Sequence, residues 1–267
     1  MGKVKRPDSA PRRIAVILGP GGASRELMNQ LQPLLATDRN IVMQGVFLEE
    51  ADVQRAAELP FVQELCRVTF AVREFDNEKF ERALALRLRT ARRALAVLAD
   101  RAGVPHTFRN VRGAAITMLS EAVSESDITV FEPARLRVAA AIAPPVSMRR
   151  RRIVVLISDV ESAGEVLRVA ISLAEEDTRK ISVLLSPARD VETDELLDYA
   201  RDLLPGRPAS VRLIGSGDKE RLALTLRELL ATILIAPAVD EMINEKMLRF
   251  FRQQVRCPVC LVRKVGP

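Results

Sequence analysis

The chain has 267 residues, of which 48% are apolar and 28% charged. This length fits about two domains and a core that buries roughly three quarters of the unfolded surface, so neither disorder nor a metal or disulfide staple is implied. Lys and Arg (41) outnumber Asp and Glu (35), for a net charge of +6. The two signs are interspersed, however, and with no Trp and one Tyr there is little to stack on bases, so a nucleic-acid partner is not expected.

Three cysteines without framework spacing fit a reducing compartment, and a cytoplasmic location is expected. Met1 to Pro11 is basic and Pro-containing, without the apolar segment of a signal peptide. No stretch approaches the roughly 20 apolar residues of a membrane span, so no membrane partner is expected either. The densest basic run, Arg149 to Arg152, reads as solvated linker.

In chain order, residues 1–11 read as a flexible tail and 12–133 as a first domain. Ile14 to Leu18 is a continuous apolar run, the pattern of a parallel strand covered on both faces. Ser24 is placed to cap a helix with the stripe Leu27, Leu31, Leu34 and Leu35. Ile41 to Leu48 reads as a second strand, and Glu49 to Phe75 as a variable helix and loop region. In the helix expected at Asn77 to Arg101, Leu84, Leu88, Ala91, Leu95 and Leu98 share one stripe, and Gly103 ends it. A strand at His106 to Val111, a helix at Ala114 to Ser124 and a strand at Asp127 to Phe131 complete the domain.

Pro133, Pro144 and Pro145 mark a linker, bounded at 134–149, and residues 150–267 form the second domain. Its expected strands are Ile153 to Ile157, Ile181 to Leu185, Val211 to Ile214, Thr232 to Ile235 and Val259 to Val262. The helices between them are expected at Ala163 to Glu175, Thr193 to Leu204, Lys219 to Leu230 and Glu241 to Gln254. The opening of this domain, Arg151-Arg152-Ile153-Val154-Val155-Leu156-Ile157, repeats Arg12-Arg13-Ile14-Ala15-Val16-Ile17-Leu18. Strands alternating with helices in both halves predict an α/β chain of two tandem, doubly wound, mostly parallel sheets.

The ending Val255-Arg256-Cys257-Pro258-Val259-Cys260-Leu261-Val262-Arg263 resembles the closing strand of the universal stress protein family. Val111-Arg112-Gly113-Ala114-Ala115-Ile116, followed by Ser126-Asp127-Ile128-Thr129-Val130, resembles the passage from the family's third strand to its fourth; Ile41 to Glu50 resembles its second strand. The resemblance spans nearly the whole chain. It implies strand order 3-2-1-4-5, a nucleotide site where strands one and four diverge, and pairing through strand five. A ligand site at such a switch point agrees with the general rule for open α/β sheets.

Family members that bind nucleotide carry an Asp after strand one and a Gly-x-x-Gly loop after strand four, whose amides approach phosphate. In the second domain Asp159 stands at the Asp position, but Ala236-Pro237-Ala238-Val239-Asp240-Glu241 has no glycine, and Pro237 removes a donor. In the first domain Gly19 replaces the Asp, and the fourth strand runs into Glu132-Pro133-Ala134-Arg135. ATP binding of the family type is therefore not expected. The remaining ligand candidates are the turn residues Gly19, Gly21, Gly22 and Ser24 with Arg25, where helix-start amides could hold a small anion, together with Asp159. The alternative reading of that turn is a purely structural one that needs positive φ.

No catalytic residue or metal site is expected. His106 is the only candidate base, and no nucleophile motif lies near it. Cys257 and Cys260 lie three apart in a strand and should face opposite sides, and Cys66 has no partner in sequence. For the terminal strand, Val259, Cys260, Leu261 and Val262 are expected to be covered either by the first domain within the chain or by a second copy. A homodimer seam is favoured, because the first domain offers only Val138 to Ile142 as a counterpart. The functional expectation is a non-catalytic stress-response protein without a cofactor, acting by association or small-ligand sensing. The alternative is a nucleotide- or anion-binding regulator that uses the glycine turn. A dinucleotide enzyme is disfavoured, because Glu49 and Glu50 come later than the acid such a fingerprint requires.

Overall fold

A computed structural model describes residues 11–19, 25–38, 40–65, 69–134, 152–187 and 192–264. Within them the first half contributes strands β1 (Arg12–Leu18), β2 (Ile41–Glu50), β5 (His106–Gly113) and β6 (Ile128–Phe131). Its helices are α1 (Arg25–Thr37), α2 (Ala51–Ala57), α3 (Asn77–Ala102) and α4 (Ala115–Glu125). The second half contributes β7 (Ile153–Ile157), β8 (Ile181–Leu185), β9 (Ser210–Leu213), β10 (Ile233–Pro237) and β11 (Val259–Val262). Its helices are α5 (Val160–Leu173), α6 (Thr193–Leu203), α7 (Lys219–Glu228), α8 (Asp240–Ile243) and α9 (Glu245–Gln253).

The α/β class holds, but the two expected sheets are one. Nine strands hydrogen-bond in the order β5-β2-β1-β6-β11-β10-β7-β8-β9. Read from β9 to β11, the second half has the 3-2-1-4-5 order. The first half has only 3-2-1-4, and its fifth place is filled by β11 running antiparallel to β6. Phe131, Val130, Thr129 and Ile128 pair in turn with Val259, Cys260, Leu261 and Val262. On its other side β11 runs parallel to β10.

The intermolecular seam expected at Val259 to Val262 is thereby corrected. Both edges of that strand are taken within the chain, and all four residues are buried. The physical reason is that β6, buried along its whole length, also needs a partner. β11 satisfies both needs inside one molecule, where no loss of translational freedom opposes the pairing. The candidate counterpart Val138 to Ile142 lies outside the described residues.

Helices cover both faces of the sheet. On one side, α1, α3, α5 and α6 pack over Ile14, Val16, Val155, Ile235 and Cys260. On the other, α4, α7 and α9 pack over Ala15, Val154, Leu156, Leu234 and Leu261. Each layer crosses the seam, through α1 against α5 and α4 against α9. Gly45 in β2 permits a close approach: a Cβ there would stand 2.6 Å from Leu95 and 2.8 Å from Phe108. Gly103 ends α3 in the left-handed conformation, at φ 65°.

Two stretches differ from expectation. Glu49 to Phe75 holds the end of β2, then α2 and an antiparallel hairpin, β3 (Gln63–Leu65) with β4 (Val72–Glu74), apart from the main sheet. The helix expected at Glu241 to Gln254 is two helices, because Asn244 leaves the helical conformation and caps α9, its side chain accepting from the Met247 amide at 3.0 Å.

Candidate functional site

The antiparallel β6–β11 seam directs the carboxyl ends of the two halves to opposite margins of the sheet. Each margin has its own switch point, between β1 and β6 or between β7 and β10.

In the second half, β7 runs through Ser158 into Asp159, the N-cap of α5. One oxygen of Asp159 accepts from the Ser162 amide at 2.7 Å. The other accepts from the hydroxyls of Ser162 at 2.7 Å and Ser158 at 3.0 Å. Its carboxylate is thus engaged by its own helix start. Across the switch point, the Ala238 amide donates to the Val262 carbonyl at 2.7 Å. Lys264 pairs with Glu161 in the first turn of α5 at 2.7 Å, tying the end of β11 to that helix. Asp240 and Glu241 then open α8, adding two carboxylates just after strand β10.

In the first half, a Cβ at Gly19 would meet no atom within 4 Å, and its backbone is not left-handed, so local sterics do not require glycine there. Gly21, Gly22 and Ser24 lie outside the described residues, while Arg25 is the first residue of α1. After β6 the first amide past Pro133, that of Ala134, donates to the Arg252 carbonyl at 2.8 Å. The Arg252 guanidinium pairs in turn with Glu50 at the end of β2. The neighbouring Glu49 accepts from Asn110 at 2.6 Å and Gln54 at 3.3 Å, with Arg112 at 3.6 Å. This polar cluster has no signature in the sequence, because its members come from β2, α2, β5 and α9, with no shared motif. Glu49 and Glu50 are engaged by side chains, not free to hold a ribose.

The two described strand-end candidates are therefore not brought together. Gly19 and Asp159 end strands that point to opposite margins of the sheet. Cys257 packs in one core layer and Cys260 in the other, as expected from their spacing. Both are free thiols that burial pushes up to a pKa of about 12, so neither is a nucleophile at neutral pH. Cys66 lies outside the described residues. His106 begins β5 and is exposed. Among the described residues, no group of three or more His, Cys, Asp or Glu is placed to hold a metal ion, and no helix is long and apolar enough to cross a membrane. A cavity of about 230 Å³ lies at neither switch point; it sits between α1 and α5 beside Arg12, Leu34, Ile41 and Arg168.

No known family profile matches the chain, and no curated protein matches it. Among solved structures, it is similar to a universal stress protein from Archaeoglobus fulgidus, with 10% identity and a TM-score of 0.47 over 94% of this chain and 96% of that one. It is also similar to a functionally unknown protein from Pseudomonas aeruginosa, with 10% identity and a TM-score of 0.42 over 96% of this chain and 93% of that one.

Proposed function

We propose that this is a non-catalytic, cytoplasmic protein of the universal-stress type, with two fused domains at 12–133 and 150–267, that acts in stress response through association or small-ligand sensing and without family-type ATP binding. One observation carries the reading. In both halves the first amide past the proline that follows or ends strand four, that of Ala134 or Ala238, is already donated to a carbonyl of the same chain. Engagement of Asp159 by Ser158 and Ser162 and the acidic start of α8 support it.

Charge-assisted bonds from backbone to phosphate contribute roughly 1.5–3 kcal/mol each. Losing two of them weakens affinity by about two decades or more. Calorimetry with Mg-ATP is expected to show no binding in the micromolar range, and mass spectrometry of the denatured protein no co-purified nucleotide. A micromolar dissociation constant would overturn the reading. It would favour a nucleotide- or anion-binding regulator built on the turn from Gly19 to Arg25.

A further inference from the structure

Both strands of the hairpin between α2 and α3 are solvent-exposed along their length. Leu65 stands opposite Val72 and Gln63 opposite Glu74, so these four side chains share one face. Glu64 opposite Arg73 makes the other face charged. Leu65 and Val72 thus form an apolar pair at one end of a face that is open. Leu59 beside it is exposed, and Phe61 and Phe70 are 98% and 77% exposed. Both phenylalanines sit on left-handed backbone, at φ 66° and 55°, which bulky residues rarely adopt. A two-stranded hairpin is marginal in water by itself, and contiguous apolar patches of more than a few hundred Å² are rare on free monomers.

The chain carries a complementary surface. On the outside of α3, Leu86 and Val97 are exposed, and Leu86, Thr90, Arg93 and Val97 recur at the spacing of one helix face. Arg89 and Arg93 are exposed there and form no ion pair with described residues. Glu74 shares the hairpin's open face, and Glu58, exposed where α2 ends, comes shortly before the hairpin in sequence. One surface is apolar with carboxylates, the other apolar with guanidinium groups. They adjoin in sequence, so a twofold axis can exchange them reciprocally.

We propose that the chain forms a twofold homodimer in which the apolar face of each hairpin lies on the outer face of α3 of the second copy. Reciprocal exchange engages both patches of each copy, toward the roughly 800 Å² per partner of a standard interface. The inference gives the association proposed above a surface. Its failure would leave the nucleotide titration untouched, and the converse holds as well.

Size exclusion with light scattering at tens of micromolar should give a dimer mass. The double variant Leu65→Glu with Val72→Glu should be monomeric with an unchanged circular dichroism spectrum, since both side chains are exposed. Arg89→Glu with Arg93→Glu should raise the dimer dissociation constant by about tenfold or more, on the scale of 1.4 kcal/mol per decade. Adding Glu58→Arg with Glu74→Arg to that variant should restore it. Val211→Glu, on the open edge strand β9, should leave the dimer intact. A monomeric parent protein, a dimer that survives the hairpin variant, indifference to the helix variant, or loss of the dimer in Val211→Glu would each overturn the proposal.

Discussion

At the residue scale, Asp159 shows how one side chain can keep a family-like position while doing a different job. All three of its contacts lie within three residues, so its carboxylate is explained by capping α5. Asp159→Ala should destabilise the protein by about 1–2 kcal/mol, the usual loss of an N-cap. Asp159→Asn, which keeps an acceptor for the Ser162 amide, should cost less. Urea midpoints compare the two, and an Ala variant as stable as the parent would show that the cap contributes nothing. Cys257 and Cys260 give a second residue-scale expectation. Their native pKa is raised by burial from 9.0 to about 12, so the folded state holds its protons where the unfolded chain releases them. The stabilisation is therefore complete below about pH 9 and declines as pH rises toward 12. A Cys257→Ala, Cys260→Ala variant should lose less stability than the parent between neutral pH and the lower part of that window. Equal alkaline slopes would contradict the assignment.

At the scale of elements, what the sequence disclosed depended on how local its signal was. β7, β8 and β11 match their expected bounds because each is a short apolar run between polar turns, covered on both faces. α3 was legible from its stripe and from Gly103, whose left-handed conformation ends it. The hairpin was not, because strands of three residues carry too little alternation to stand out beside a helix and loop composition. The break at Asn244 was hidden by an apolar periodicity that continues through both helices, Met242, Met247, Leu248 and Phe251 all being buried. Partner choice for β11 was the least visible feature. Val259 to Val262 can pair with any open edge of matching length, and nothing in four residues says whether that edge belongs to the same chain. As for the candidate site, the missing glycines and the acids at the start of α8 could be read directly. The diversion of the Ala134 and Ala238 amides to carbonyls distant in sequence could not.

At the scale of the whole molecule, the single sheet changes what the two halves are to each other. Two domains on a linker would unfold separately if each had its own core. Here β11 is an interior strand that touches the fourth strand of each half, and both helical layers continue across it. Removing the first half would expose one edge of β11, and removing β11 would expose the buried edges of β6 and β10 together. Cross-seam ties reinforce the ladder. Arg12 pairs with Glu165 at 3.0 Å, Arg252 pairs with Glu50, and the Arg263 amide donates to the Asp127 carbonyl at 2.8 Å. Unfolding should therefore be one cooperative transition despite the internal repeat. The buried thiols offer a site-specific probe, since Cys257 and Cys260 lie in opposite layers beside the seam. Their reactivity toward a thiol reagent in rising urea should follow the same curve as circular dichroism. Hydrogen exchange of β1 and β7 should report the same opening free energy. Two separated transitions, or a first half that exchanges while β7 to β9 stay protected, would show that the seam joins the halves without coupling them.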